Sequence, residues 1–253
     1  MRDLHVHRFG PDSGPLVLAL HGLTGHGRRW AALATEYLSD LRIVAPDLPG
    51  HGRSTSLPPW TFETVVADLV PLLDGEPAVV VGHSFGGAVG IHLARRYPEL
   101  VRALVLLDPA MGMDPAFMLE VAESVIAEPD YPDAAAARAD KVGSGWAEVE
   151  PRLLDAELDE HLVPTPNGRV GWRMSTPAIA SFWSELSRDV VVPPAGLPTV
   201  LVQAMKADIV TPALRAALTE RLGPALTVHE FDCDHMVAQA RPAETAAAIR
   251  AVL

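Results

Sequence analysis

Disulfides are out of reach for this chain, because its 253 residues include one cysteine, Cys233. An internal bridge cannot form, and such usage is typical of a reducing compartment. Basic charge is also in short supply. Lys and Arg number 20 against 32 Asp and Glu, a formal net charge of −12, which argues against nucleic acid or an anionic membrane surface as a partner. No apolar run approaches the roughly 18 residues of a membrane span. The opening Met1-Arg2-Asp3-Leu4-His5-Val6-His7 lacks the apolar core of a secretory signal. No His, Cys, Asp or Glu pattern has metal-ligand spacing, so no metal is expected. These absences lead us to expect a cytoplasmic globular protein without stable membrane insertion.

What is present is apolar material in a regular order. Hydrophobic residues make up 49% of the chain, enough to bury a large core in one domain. Short Val- and Leu-rich runs at 16–20, 42–45, 78–81, 103–107, 199–202 and 227–231 lack polar alternation, as expected of parallel strands covered on both faces. The segment 4–9 alternates and predicts a half-exposed antiparallel edge strand. Apolar residues at helical spacing fill 29–38, 61–73, 84–97, 211–222 and 241–252. Pro212 and Pro242 stand in first helical turns, where the missing N–H costs nothing. Strand and helix alternate, which predicts an α/β fold with right-handed crossovers.

Residues 111–192 break this rhythm. No strand is evident there, and helices are expected at 115–127, at 134–141 and from Thr176 to about 188. Fifteen acidic residues against six basic ones fall in this third of the chain. A long helical stretch inside an α/β pattern reads as an insertion over the sheet edge, a lid.

The chemistry centres on Gly82-His83-Ser84-Phe85-Gly86-Gly87, directly after the strand at 78–81 and at the start of a helix. A strand that turns sharply into a helix leaves the serine strained and exposed, and flanking glycines remove side chains that would collide. Serine needs a base. Of ten histidines, His235 alone falls just beyond the last strand, where it can reach the carboxyl ends of the others. The acid should follow a late strand. Asp208, after the strand at 199–202, is the first candidate; Asp108, in Leu106-Leu107-Asp108-Pro109, is its rival. An oxyanion needs two backbone N–H groups, which Phe85 and Leu23 can supply. Cys233 reads as a small buried residue, and His21 and His51 as loop anchors. Trp146, Trp172, Phe182 and Trp183, in the insertion, are candidates for lining an apolar acyl site.

Together His21-Gly22, Asp47-Leu48-Pro49-Gly50-His51-Gly52-Arg53-Ser54, the Ser84 motif, Asp208 and His235 resemble the α/β-hydrolase superfamily over nearly the whole chain. The stretches 106–110, 155–162 and 231–237 are most similar to its mycobacterial-type lipases and esterases. That resemblance implies a Ser-His-Asp carboxylester hydrolase that works through an acyl-enzyme, needs no cofactor and takes a small-molecule ester of short to medium chain. It also implies a core of residues 1–110 and 193–253, with the lid at 111–192 inserted after the family's sixth strand. The chain begins at what matches the family's second strand, so about seven strands are expected. Serine rather than aspartate at position 84 speaks against haloalkane dehalogenase and epoxide hydrolase chemistry. Lyase-type or C–C bond cleavage, perhydrolysis and thioester hydrolysis on the same fold stay open, as does a non-catalytic binding scaffold.

Overall fold

The Val- and Leu-rich runs form strands because each one can be buried on both sides. In the computed structural model, which describes residues 3–253, every residue of Leu16–Leu20 and of Ala78–His83 is buried. The elements follow in the order β1 (Val6–Phe9), β2 (Leu16–Leu20), α1 (Ala31–Tyr37), β3 (Arg42–Pro46), α2 (Phe62–Leu69), β4 (Ala78–His83), α3 (Phe85–Arg96) and β5 (Val101–Leu107). The inserted stretch then supplies α4 (Pro115–Ala127), α5 (Ala134–Lys141), α6 (Pro151–His161), β6 (Leu162–Pro164), β7 (Val170–Trp172) and α7 (Thr176–Leu186). The chain closes with β8 (Thr199–Ala204), α8 (Pro212–Leu222), β9 (Leu226–Phe231), α9 (Val237–Ala240) and α10 (Pro242–Arg250).

Among the described residues, seven strands make one sheet in the order β1-β3-β2-β4-β5-β8-β9. Only β1 runs antiparallel to its neighbour, pairing Val6 with Pro46 and Phe9 with Ile43. Alternation along the strands splits the core in two. Leu18, Leu20, Val80, Leu104 and Leu201 face α2, α3 and α8, and α4 and α7 extend this core with Met118, Ile179 and Phe182. Val17, Val79, Val81, Val105 and Val202 face α1, α9 and α10. Helices on both faces are what near-continuous apolar strands require.

Local signals set several helix starts. The Thr211 side chain accepts from the Leu214 N–H at the start of α8, with Pro212 in the first turn. Asp114 caps α4 and Asp133 caps α5 in the same way. The helix expected over 241–252 is α10, and Pro242 in its first turn separates it from the short α9 before it. The expectation of a strandless insertion is also corrected. β6 and β7 pair as an antiparallel ribbon, Leu162 opposite Trp172. Three-residue strands are too short to show a period of two in sequence. Helix α6 is a further element of this stretch beyond the three helices expected there. No helix among the described residues is long and apolar enough to cross a membrane.

Candidate active site

Ser84 sits where β4 passes into α3, with φ 52° and ψ −118°. A non-glycine residue rarely adopts this left-handed conformation, and it lasts only where the surroundings over-determine it. Here they do. A Cβ on Gly82 would lie 2.3 Å from the Gly86 carbonyl oxygen, and one on Gly86 would lie 2.4 Å from the Leu20 carbonyl oxygen. Only glycine at both positions lets the strand, the elbow and the helix start approach this closely. The Ser84 N–H donates to the Leu107 carbonyl at 3.0 Å, and its own carbonyl accepts from Gly87 and Ala110. As the first residue of α3, Phe85 has no intrahelical acceptor for its N–H.

His235 lies in the loop between β9 and α9. Its Nδ1 is 2.6 Å from Oδ2 of Asp108. The structure thereby corrects the first expectation for the acid. Asp208 is exposed in the turn beyond β8, whereas Asp108 is fully buried and its Oδ1 accepts from the Ala204 N–H at 3.0 Å. The reason is register. β4 and β5 pair His83 with Leu107, so the residues that follow, Ser84 and Asp108, leave adjacent strands at one level. Asp108 also turns with φ 47°. Its rival starts four residues past the end of β8 and faces solvent.

His83, which sequence reasoning passed over, holds the histidine loop. Its Nε2 donates to the His235 carbonyl at 2.8 Å, and the two rings lie 4.5 Å apart. Burial, and after it the neighbouring His235, pushes the His83 imidazole well below its ordinary range and keeps it neutral. His21 anchors its own loop. Its Nε2 accepts from the Leu48 N–H at 2.9 Å and its Nδ1 donates to the Gly22 carbonyl at 2.8 Å.

Ser84 and His235 open into one cavity of about 320 Å³. Leu23, Trp146, Trp172 and Trp183 line it as well. Phe182 does not, which corrects its expected place among the substrate residues. It is fully buried, its ring 4.7 Å from that of Phe85 and 6.0 Å from that of His51. On α7, Phe182 and Trp183 are neighbours in sequence and so point in different directions. The sequence showed two apolar aromatics there but not which of them turned to the core.

Two residues of the cavity wall, Arg29 and Lys141, are cations that the sequence reading missed, and they meet a carboxylate that lies behind the wall. Glu157 on α6 is buried, with Oε1 2.8 Å from Lys141 Nζ and Oε2 2.9 Å from His26 Nε2. Arg29 bridges both its oxygens. Burial alone would raise the Glu157 carboxyl, but Arg29, Lys141 and the His26 hydrogen bond outweigh it and hold the group well below the usual carboxylate range. No local motif marks such a cluster, since His26 and Arg29 lie more than a hundred residues from Lys141 and Glu157.

A second grouping lies outside this cavity. His5, His7 and Asp47 bring one ligand atom each within 4.8 Å of one another, a set that could hold a metal ion. Asp47 already accepts from the N–H groups of Gly27 and Arg53, at 2.7 and 2.8 Å, so it also ties two loops together.

The model of the alpha/beta hydrolase family matches residues 16–248. Lipase LipV of Mycobacterium tuberculosis is 54% identical, over 99% of this chain and 98% of its own. Among solved structures, E-2-(acetamidomethylene)succinate hydrolase superposes with a TM-score of 0.81 at 25% identity, over 99% of this chain and 95% of its own. An esterase from a marine microorganism does so with 0.79 at 19% identity, over the full length of both chains, a likeness of fold. A strained serine at a strand-to-helix elbow, the strand order and the match over most of the sequence agree: the chain belongs to the alpha/beta hydrolase family.

Proposed function

We propose that the protein is a serine carboxylester hydrolase with Ser84 as nucleophile, His235 as base and Asp108 as the acid that orients it. The observation that carries this reading is the 2.6 Å contact between His235 Nδ1 and buried Asp108, at the wall of the cavity into which Ser84 opens. With Nδ1–H donated to the carboxylate, Nε2 is the unprotonated nitrogen and is free to take the serine proton. The 54% identity to Lipase LipV supports the same class of activity.

In this mechanism Ser84 Oγ attacks the ester carbonyl as His235 removes its proton. The oxyanion is received by the backbone N–H groups of Leu23 and Phe85. His235 then protonates the leaving alcohol, and a water molecule releases the acid by the reverse sequence. Asp108 stabilises the imidazolium without taking the proton. Residues 111–192 form a lid over this centre, and Trp146, Trp172 and Trp183 supply apolar walls. A cavity of about 320 Å³ is at the small end for ligand sites, which favours short- to medium-chain acyl groups.

The test is covalent labelling. A fluorophosphonate probe should attach to Ser84, and Ser84→Ala should lose p-nitrophenyl butyrate hydrolysis by about 10⁶ in kcat. Labelling elsewhere, or activity that survives in Ser84→Ala, overturns the reading.

A further inference from the structure

We propose that Lys141, backed by Arg29, recognises an anionic group on the substrate, so that the preferred esters carry a carboxylate at the end remote from the scissile bond. This inference rests on the ester-hydrolase reading and names its substrate class.

Lys141 ends α5 and lines the same cavity as Ser84 and His235. Its side chain is 7% exposed. Among the described residues its Nζ makes one hydrogen bond, to Glu157, although an ammonium has three donors. The rest of its surroundings is aromatic, with Nζ 4.5 Å from the Trp172 ring centroid and 5.1 Å from that of Trp146. Arg29 lies 5.1 Å from the same Trp146 ring and also lines the cavity.

The charges in this wall do not cancel. Two buried cations, Arg29 and Lys141, share the single carboxylate of Glu157. The nearby His161 imidazole adds no negative charge, and burial pushes it well below its ordinary range. Burial also pushes the Lys141 ammonium down to about 8, with Glu157 opposing and Arg29 adding to the shift. Two further carboxylates line the cavity, Asp140 and Glu128, but both are exposed. Asp140 also accepts the Tyr131 hydroxyl hydrogen bond at 2.7 Å. Water screens these outer acids far more than the buried pair. An incoming carboxylate therefore meets an unbalanced positive charge at Lys141, and the faces of Trp146 and Trp172 accept the methylenes leading to it.

The experiment compares p-nitrophenyl esters of matched length, butyrate and valerate against the mono-esters of succinate and glutarate. The wild-type protein should favour the carboxylate-bearing member at pH 7 by about tenfold or more in kcat/KM, chiefly through KM. That ratio should fall at least tenfold in Lys141→Met, and Lys141→Arg should keep most of it. Fluorophosphonate labelling of Ser84 in each variant reports whether the site is intact. If the variants fail to fold, the wild-type ratio decides alone, and it should decline as pH rises through about 8. Neutral esters hydrolysed as well as charged ones overturn this inference and leave the hydrolase reading standing. If no ester is cleaved and Ser84 is not labelled, both fall.

Discussion

Ser84 and Asp108 leave adjacent parallel strands at the same level, and both turn with a left-handed backbone, φ 52° and 47°. This pairing brings the Asp108 carboxylate to the imidazole of His235. It also separates two acids, of which the sequence puts Asp208 first and Asp108 second. Asp108→Asn should lower kcat on p-nitrophenyl butyrate by about 10⁴, because the amide stabilises the wrong imidazole tautomer. Asp208→Asn should change it by less than about threefold. Reversed effects in steady-state kinetics would return the role to Asp208.

The elbow depends on having no side chain at position 86. Gly86→Ala puts a Cβ 2.4 Å from the Leu20 carbonyl oxygen, and that neighbour is β2 backbone with little room to yield. The urea midpoint should drop by an amount worth about 1–3 kcal/mol or more. A midpoint within error of wild type would mean that the turn is not so constrained.

Phe182 and Trp183 should separate cleanly in experiment. Phe182→Ala opens a hole beside Phe85 and should cost about 3–5 kcal/mol in urea unfolding. Trp183→Ala, at the cavity wall, should shift KM for p-nitrophenyl esters several-fold with a smaller stability loss. If Phe182→Ala altered KM and left the midpoint alone, the core assignment would be wrong.

Glu157 binds the inserted helices to the loop before α1. Glu157→Gln strips the counter-charge from Arg29 and Lys141 inside the protein. Breaking a buried ionic pair in this way typically costs about 3–5 kcal/mol. A thermal midpoint unchanged by the substitution would show that water reaches the cluster freely.

Stability should fall as the solution is acidified below about pH 6.5. Burial pushes His51 and His92 down to about 4 and holds His21, His83 and His161 below their ordinary value of 6.5. The unfolded chain takes up protons near 6.5 that the folded protein refuses, so each group's contribution is complete above 6.5 and is lost between 6.5 and its folded value. Midpoints from thermal melts between pH 7.5 and 4.5 test this. A flat profile would mean that these imidazoles titrate freely in the folded state.

The sequence by itself determined the sheet and the elbow and pointed to a hydrolase. Those depend on short-range physics. An unalternating run of valines at 78–81 has to be covered on both faces, and Gly82 and Gly86 permit one sharp turn around Ser84. The position of His235 just beyond the last strand is local information of the same kind. Tertiary structure decided which acid meets it, because that choice depends on the β4–β5 register, which no segment contains. The same is true of Phe182, turned into the core beside a residue that faces the cavity. It holds most strongly for Arg29 and the pair Lys141 and Glu157, which lie more than a hundred residues apart and gain their chemistry only when folding removes the water between them.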